Sequence, residues 1–131
     1  MRVIDSSALI KYFAKEESWN KVRQYLLEGV VTLELALKEL GNALWKKILR
    51  DEMDINIAKT IIHDLYYNRP IKIIDQGKYI DKALELSIKY KITIYDALFI
   101  ALAKENGLEL ITSDRKQAEA AMQEGIEVIL L

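Results

Sequence analysis

Four acidic residues lie where their carboxylates can act together. Asp5 ends the apolar segment VID, Asp114 follows LELIT, and Asp96 precedes seven consecutive apolar residues. Glu39 lies in the helical segment TLELALKELGNALWKKILR, off its apolar stripe. Carboxylates gathered at one place would bind a hard divalent cation through oxygen. Taken singly, each acid has a simpler explanation, because Asp is a favoured helix N-cap and Glu39 is equally an exposed charge beside lysines.

Short apolar segments alternate with helical ones along the chain and determine where these acids lie. Strands are predicted at Arg2–Asp5, Val30–Thr32, Ile71–Asp75, Leu108–Thr112 and Ile126–Leu131. Helices are predicted at Ser7–Lys15, Ser18–Glu28, Leu33–Arg50, Ile55–Tyr67, Gly77–Tyr90, Tyr95–Asn106 and Arg115–Glu124. The order predicts one α/β domain over residues 1–131, with three α/β/α layers and a mainly parallel sheet of about five strands. Because parallel strands share one carboxyl edge, Asp5 and Asp114 should lie there, with Asp96 facing it.

Composition excludes several classes of protein. The net charge is −1 and the pI about 5.9, so the chain is not a generally basic nucleic-acid binder. A local basic rim is still compatible with these values, and Lys11, Lys46, Arg50 and Arg115 are candidate RNA contacts. No cysteine is present, and the one histidine, His63, has no second histidine with which to form a metal site. No apolar run is long enough to span a membrane, and we expect a cytoplasmic protein.

Four blocks of the chain resemble the PIN domain family, in particular its VapC-type toxin ribonucleases. The blocks are VIDSSALIKYF, TLELALKELGNALWK, ITIYDALFIALA and LITSDRK, in the family's order. The resemblance implies that Asp5, Glu39, Asp96 and Asp114 are the catalytic and metal-binding acids. It also implies that three polar residues support these acids, namely Ser6, Asn42 and Thr112.

The same resemblance implies an activity. We expect an Mg²⁺- or Mn²⁺-dependent endoribonuclease that hydrolyses RNA phosphodiesters with a metal-activated water. It would be the toxin of a toxin–antitoxin pair, with a VapB-type antitoxin and a homodimeric state, and Tyr12, Phe13 and Trp19 are candidate contacts for either partner. Alternatives are a non-catalytic PIN-like domain that binds RNA or protein, and a PIN nuclease of RNA maturation or DNA processing. Without metal, the crowded carboxylates should repel one another and raise the pKa of at least one acid.

Overall fold

A five-stranded sheet with strand order β3-β2-β1-β4-β5 forms the centre of the computed structural model, which describes residues 1–131. The strands are β1 (Arg2–Ile4), β2 (Val30–Leu33), β3 (Lys72–Ile74), β4 (Leu110–Thr112) and β5 (Val128–Leu130). Every neighbouring pair is parallel, so the sheet is parallel throughout rather than mainly so. Val3 pairs with Val31 on one side and with Leu110 on the other, which makes β1 the central strand.

Seven α-helices connect the strands. They are α1 (Ser6–Phe13), α2 (Trp19–Glu28), α3 (Leu35–Leu49), α4 (Ile55–His63), α5 (Ile80–Tyr90), α6 (Ile94–Asn106) and α7 (Arg115–Gln123). All the predicted helices are present, but two of them are not uniform. The helix predicted to Tyr67 changes to a π-helical turn at Asp64–Asn68, and the one predicted from Gly77 begins as a 3₁₀ turn at Gly77–Tyr79. No helix combines the length and the apolar character needed to cross a membrane.

The direction of the connections separates the helices into two layers. The chain moves from β1 to β2 to β3 towards one edge, then returns to β4 on the other side of β1. Since parallel crossovers are right-handed, α1–α4 cover one face of the sheet and α5–α7 the other. Helix contacts agree, because α3 packs on α1 and α4 while α6 packs on α5 and α7. The predicted three-layer α/β/α architecture is confirmed, and its topological switch point lies between β1 and β4.

Helix α6 is the most buried helix of the fold. Residues Ala97 to Ala103 are all buried between the sheet and the outer helices. Gly107, with φ of +62°, ends the helix in the left-handed conformation that favours glycine. At the other end, the Thr93 side chain accepts the Asp96 backbone N–H at 3.2 Å. Thr93 is therefore the N-cap, and the simple explanation of Asp96 as a capping residue is wrong.

Candidate active site

The four acids lie around one cavity of about 200 Å³ at the switch point of the sheet. Asp5 follows β1 and Asp114 follows β4, while Glu39 comes from α3 and Asp96 from the first turn of α6. Each helical layer thus contributes one acid, and two neighbouring strand ends contribute the others. The cavity wall is completed by Ser6, Ser7, Ile10, Phe99 and Gln117.

Asp5 is the most enclosed of the four carboxylates, with 2% of its surface exposed. Its Oδ1 accepts hydrogen bonds from the Ala8 backbone N–H at 2.9 Å and from Ser7 Oγ at 2.7 Å. Its Oδ2 accepts the hydroxyl of buried Thr112 at 2.5 Å. Asp5 is therefore the N-cap of α1 and is held in one orientation from three directions.

Two of the acids have raised pKa values. Burial raises the pKa of Asp5 to about 7, against the opposing effect of its hydrogen bonds from Thr112, Ala8 and Ser7. Burial also raises the pKa of Asp96 to about 6, with further contributions from the negative charges of Asp114 and Glu39. Both pKa shifts have the expected direction, but desolvation is their main cause and mutual repulsion is secondary.

Two of the three residues expected to support the acids contact them, and the third does not. Ser6 Oγ donates to Glu39 Oε1 at 2.6 Å, and Thr112 contacts Asp5 as described. Asn42 is instead exposed and lines a neighbouring groove. Asp114 is the N-cap of α7, accepting the Gln117 backbone N–H at 3.1 Å.

Gln117 is a site residue that the sequence reasoning missed. Its side chain is 1% exposed, and its Nε2 donates to the backbone oxygen of Asp96 at 2.9 Å. Its Oε1 lies 3.2 Å from Thr112 Oγ1. Gln117 thereby ties the start of α6 to the end of β4. The available signal was the Asp-x-x-Gln spacing from Asp114, which is typical of a capping box.

The candidate RNA contacts divide into two pairs. Lys46 and Arg50 line the groove beside Glu39, whereas Lys11 and Arg115 line neither that groove nor the acidic cavity.

The aromatic residues proposed as partner contacts are half-buried. Tyr12 packs edge-on against Phe13 and Trp19, with ring centroids 4.9 and 6.2 Å apart. These rings stabilise the α1–α2 layer, and the more exposed apolar surface lies elsewhere.

The types of side chain in the cavity suit a hard cation, although they are not arranged around a single ion. All its ionisable ligands are carboxylates, the donors that Mg²⁺ and Mn²⁺ prefer. No three acidic side chains are positioned to hold one ion together. Mg²⁺ usually keeps several waters and takes only one or two direct carboxylate ligands. The donor set therefore fits such an ion, with the remaining acids acting through water.

Comparison with known proteins agrees with this fold and cavity. The family profile described as PIN domain matches residues 2–122. The chain belongs to the PIN domain family. Ribonuclease VapC3 of Pyrobaculum aerophilum is 30% identical over 120 residues, covering 89% of this chain and 92% of that protein. Exonuclease VapC9 of the same organism is 30% identical over 114 residues, covering 87% and 80%. These matches confirm the VapC-type resemblance.

Solved structures show the same PIN fold. A Pyrobaculum aerophilum crystal structure superposes with a TM-score of 0.73 at 28% identity, covering 97% of this chain and 82% of that one. A toxin–antitoxin complex from Klebsiella pneumoniae gives a TM-score of 0.62 at 20% identity and covers 90% of both chains. The second likeness is one of fold alone.

Proposed function

We propose that this chain is a metal-dependent endoribonuclease of the VapC type, acting as one domain over residues 1–131 in the cytoplasm. The observation that carries the proposal is the convergence of Asp5, Glu39, Asp96 and Asp114, from four different elements, on one cavity. Membership of the PIN family and similarity to VapC ribonucleases support it.

Asp5, Glu39, Asp96 and Asp114 would hold Mg²⁺ or Mn²⁺, one or two of them directly and the others through water. When bound, such an ion activates a water for attack on a phosphodiester and neutralises charge on the phosphoryl and leaving oxygens. The chain itself supplies rigid ligands. Thr112, Ser7 and the Ala8 N–H fix the Asp5 carboxylate, and Ser6 fixes Glu39.

The burial that raises the pKa of Asp5 and Asp96 also makes metal binding depend on pH. Near neutral pH and without metal, a buried carboxyl retains its proton for part of the time. A divalent ion favours the ionised forms and releases those protons. Metal affinity is therefore expected to rise with pH through the range in which Asp96 and Asp5 ionise.

Cleavage of a covalently closed RNA tests the proposal directly, because such a substrate has no ends for an exonuclease. We expect cutting with Mg²⁺ or Mn²⁺, none with EDTA, and none by Asp96→Asn. Glu105→Gln, which removes an exposed acid from the same helix as Asp96, is the control and should cut normally. Cutting in EDTA or by Asp96→Asn would refute the catalytic assignment. Digestion of linear RNA alone would indicate an exonuclease.

We also propose that a VapB-type antitoxin binds this chain. A groove of about 440 Å³ between α3 and α4 is lined mainly by apolar side chains, including Trp45, which is 53% exposed. Such a groove fits the apolar face of an amphipathic segment. Glu39 is also on α3, but the apolar groove shares no lining residue with the acidic cavity, so a segment held there would not fill that cavity.

Titration calorimetry with the purified antitoxin tests the antitoxin site. Trp45→Ala should weaken binding at least tenfold, whereas Met122→Ala, at an equally exposed position on α7, should not. Equal effects of the two substitutions would place the antitoxin elsewhere.

A homodimer is proposed through α5. Ile80, Leu84 and Ile88 recur every four residues on its outer face and are 46%, 52% and 71% exposed. Antiparallel pairing with a second copy about Leu84 would bury this stripe and bring Asp81 beside Lys89 of the second copy. Light scattering after gel filtration should show a dimer for the wild type and for Leu27→Lys on α2, but a monomer for Leu84→Lys. A dimeric Leu84→Lys variant would exclude this face.

A further inference from the structure

The largest open groove next to the acidic cavity runs along α3 and has a volume of about 590 Å³. It shares Ile10 and Glu39 with the acidic cavity, so the two spaces lie on either side of these residues. We call it the α3 groove. A chain entering it from the acids would pass Asn42 and then Lys46 before reaching Arg50 at the helix end.

The α3 groove is lined by more basic than acidic side chains, and two of its cations have no ion-pair partner. Lys38 pairs with Glu34 at 2.6 Å, and Lys47 pairs with Glu52 at 3.4 Å. Lys46 and Arg50 are exposed and form no salt bridge. They are one turn apart on the same side of α3, about 6 Å along its axis. Two free cations at this spacing suit successive phosphates of an extended strand.

An aromatic ring stands at the end of the α3 groove that is nearer the acids. Tyr95 lines the groove, is 54% exposed, and immediately precedes Asp96 in the first turn of α6. The aromatic and cation–π pairs of the structure do not include it. A free ring face beside a cationic track is the arrangement on which proteins stack unpaired bases.

We propose that the α3 groove binds single-stranded RNA on one side of the cleaved phosphate, with Tyr95 stacking a base and Lys46 and Arg50 contacting phosphates. The inference rests on the proposed function, since the same acids are taken to cut the strand. Lys46 and Arg50 lie about 10 and 16 Å beyond Glu39 along the helix axis, so the contacts extend a few nucleotides from the cut. Single-stranded RNA is required because a base within a duplex does not present a free face to Tyr95.

Binding of a 5′-fluorescein-labelled single-stranded RNA 10-mer, followed by anisotropy in EDTA at several salt concentrations, tests this inference without cleavage. Lys46→Gln and Arg50→Gln should each reduce the slope of log affinity against log salt by about 0.7. Tyr95→Leu should weaken binding about tenfold with an unchanged slope, and Tyr95→Phe should bind as the wild type does. Lys38→Gln, which removes a paired cation in the same groove, and Lys59→Gln on α4 are the controls and should leave the slope unchanged.

Unchanged slopes for Lys46→Gln and Arg50→Gln, wild-type affinity of Tyr95→Leu, or no measurable RNA binding by the wild type would each overturn the inference. Binding of an acidic peptide in the groove without binding of RNA would also overturn the inference, and would indicate a protein partner. The assay separates this inference from the proposed function. Metal-dependent cleavage with unchanged slopes would support the nuclease function and refute RNA binding in the α3 groove. The expected slopes without any cleavage would support RNA binding in the groove and refute the nuclease function.

Discussion

Replacing Asp5 with Asn should stabilise the metal-free protein at neutral and alkaline pH. The reason is the raised pKa of Asp5, about 7 in the folded chain against a reference value of 3.8. The folded chain therefore binds this proton more tightly than the unfolded chain does. That contribution to stability is complete below the reference pKa and is lost as the pH rises through about 7. A shift of this size corresponds to about 4 kcal/mol, at 1.36 kcal/mol per pKa unit.

The structure also shows why Asn fits at this position. Its Oδ1 would still accept from Ala8 and Ser7, and its Nδ2 would face Thr112 Oγ1 as a donor. Thr112 can then turn its own hydrogen to Gln117 Oε1, which lies 3.2 Å away. The lost charge-assisted hydrogen bond costs about 1 kcal/mol, which leaves a net gain of about 3 kcal/mol at pH 8.

Urea unfolding of wild type and Asp5→Asn in EDTA from pH 4 to pH 8 measures this difference. Asp5→Asn should be about 0.5 kcal/mol less stable at pH 4 and about 3 kcal/mol more stable at pH 8, with equal stability near pH 4.5. At pH 8 its melting temperature should be about 10 °C higher. The control Glu105→Gln, at an exposed position on α6, should unfold as the wild type does at each pH. A difference between Asp5→Asn and wild type that does not change with pH would refute the reasoning.

Three further changes test other parts of the structure. Glu124 contacts Lys104, Tyr90 and Lys89, which lower its pKa to about 2. The stability that Glu124 contributes should be present above the reference pKa of 4.5 and lost as the pH falls towards 2. Glu124→Gln should therefore cost about 1–3 kcal/mol at pH 7 and little at pH 2 in urea unfolding, and an equal cost at both pH values would contradict this assignment. Gln117→Leu should cost about 1–3 kcal/mol by leaving the Asp96 carbonyl without its donor, measured by the same method against exposed Gln123→Leu, and a neutral effect would show that this hydrogen bond is dispensable. Gly107→Ala should lower stability by about 1–2 kcal/mol because of its positive φ alone, since open space surrounds the added Cβ; an unchanged melting temperature would argue against that backbone conformation.

The architecture could be predicted because its signals are local and repeated. Each strand is an apolar run, and glycines such as Gly29 and Gly107 end the helices before them. Strand ends were predicted less well, since β1 stops at Ile4 where Asp5 begins to cap α1. The π-helical turn at Asp64–Asn68 was missed, because tertiary packing rather than residue type determines it.

The candidate site was predictable for its acids and less so for its other residues. Motif spacing identified four acids that do meet at one cavity. Asn42 was expected to support Glu39 from its helical phase and from the family resemblance, but its side chain is exposed in the groove along α3 and the hydrogen bond to Glu39 comes from Ser6. Gln117 was missed because its capping spacing describes contacts within α7, whereas its amide reaches the Asp96 carbonyl, 21 residues away in the chain. Contacts of that kind become visible only once the elements are packed.

The origin of the acids in three separate layers makes the site sensitive to alignment. Asp5 and Asp114 stay with the sheet, but Glu39 travels with α3 above it and Asp96 with α6 below it. Sliding α3 by even one helical turn, about 5 Å, would withdraw Glu39 while leaving the other three acids in place. A partner bound in the apolar groove between α3 and α4 could thus inactivate the enzyme by shifting α3, while the acidic cavity stays open to solvent.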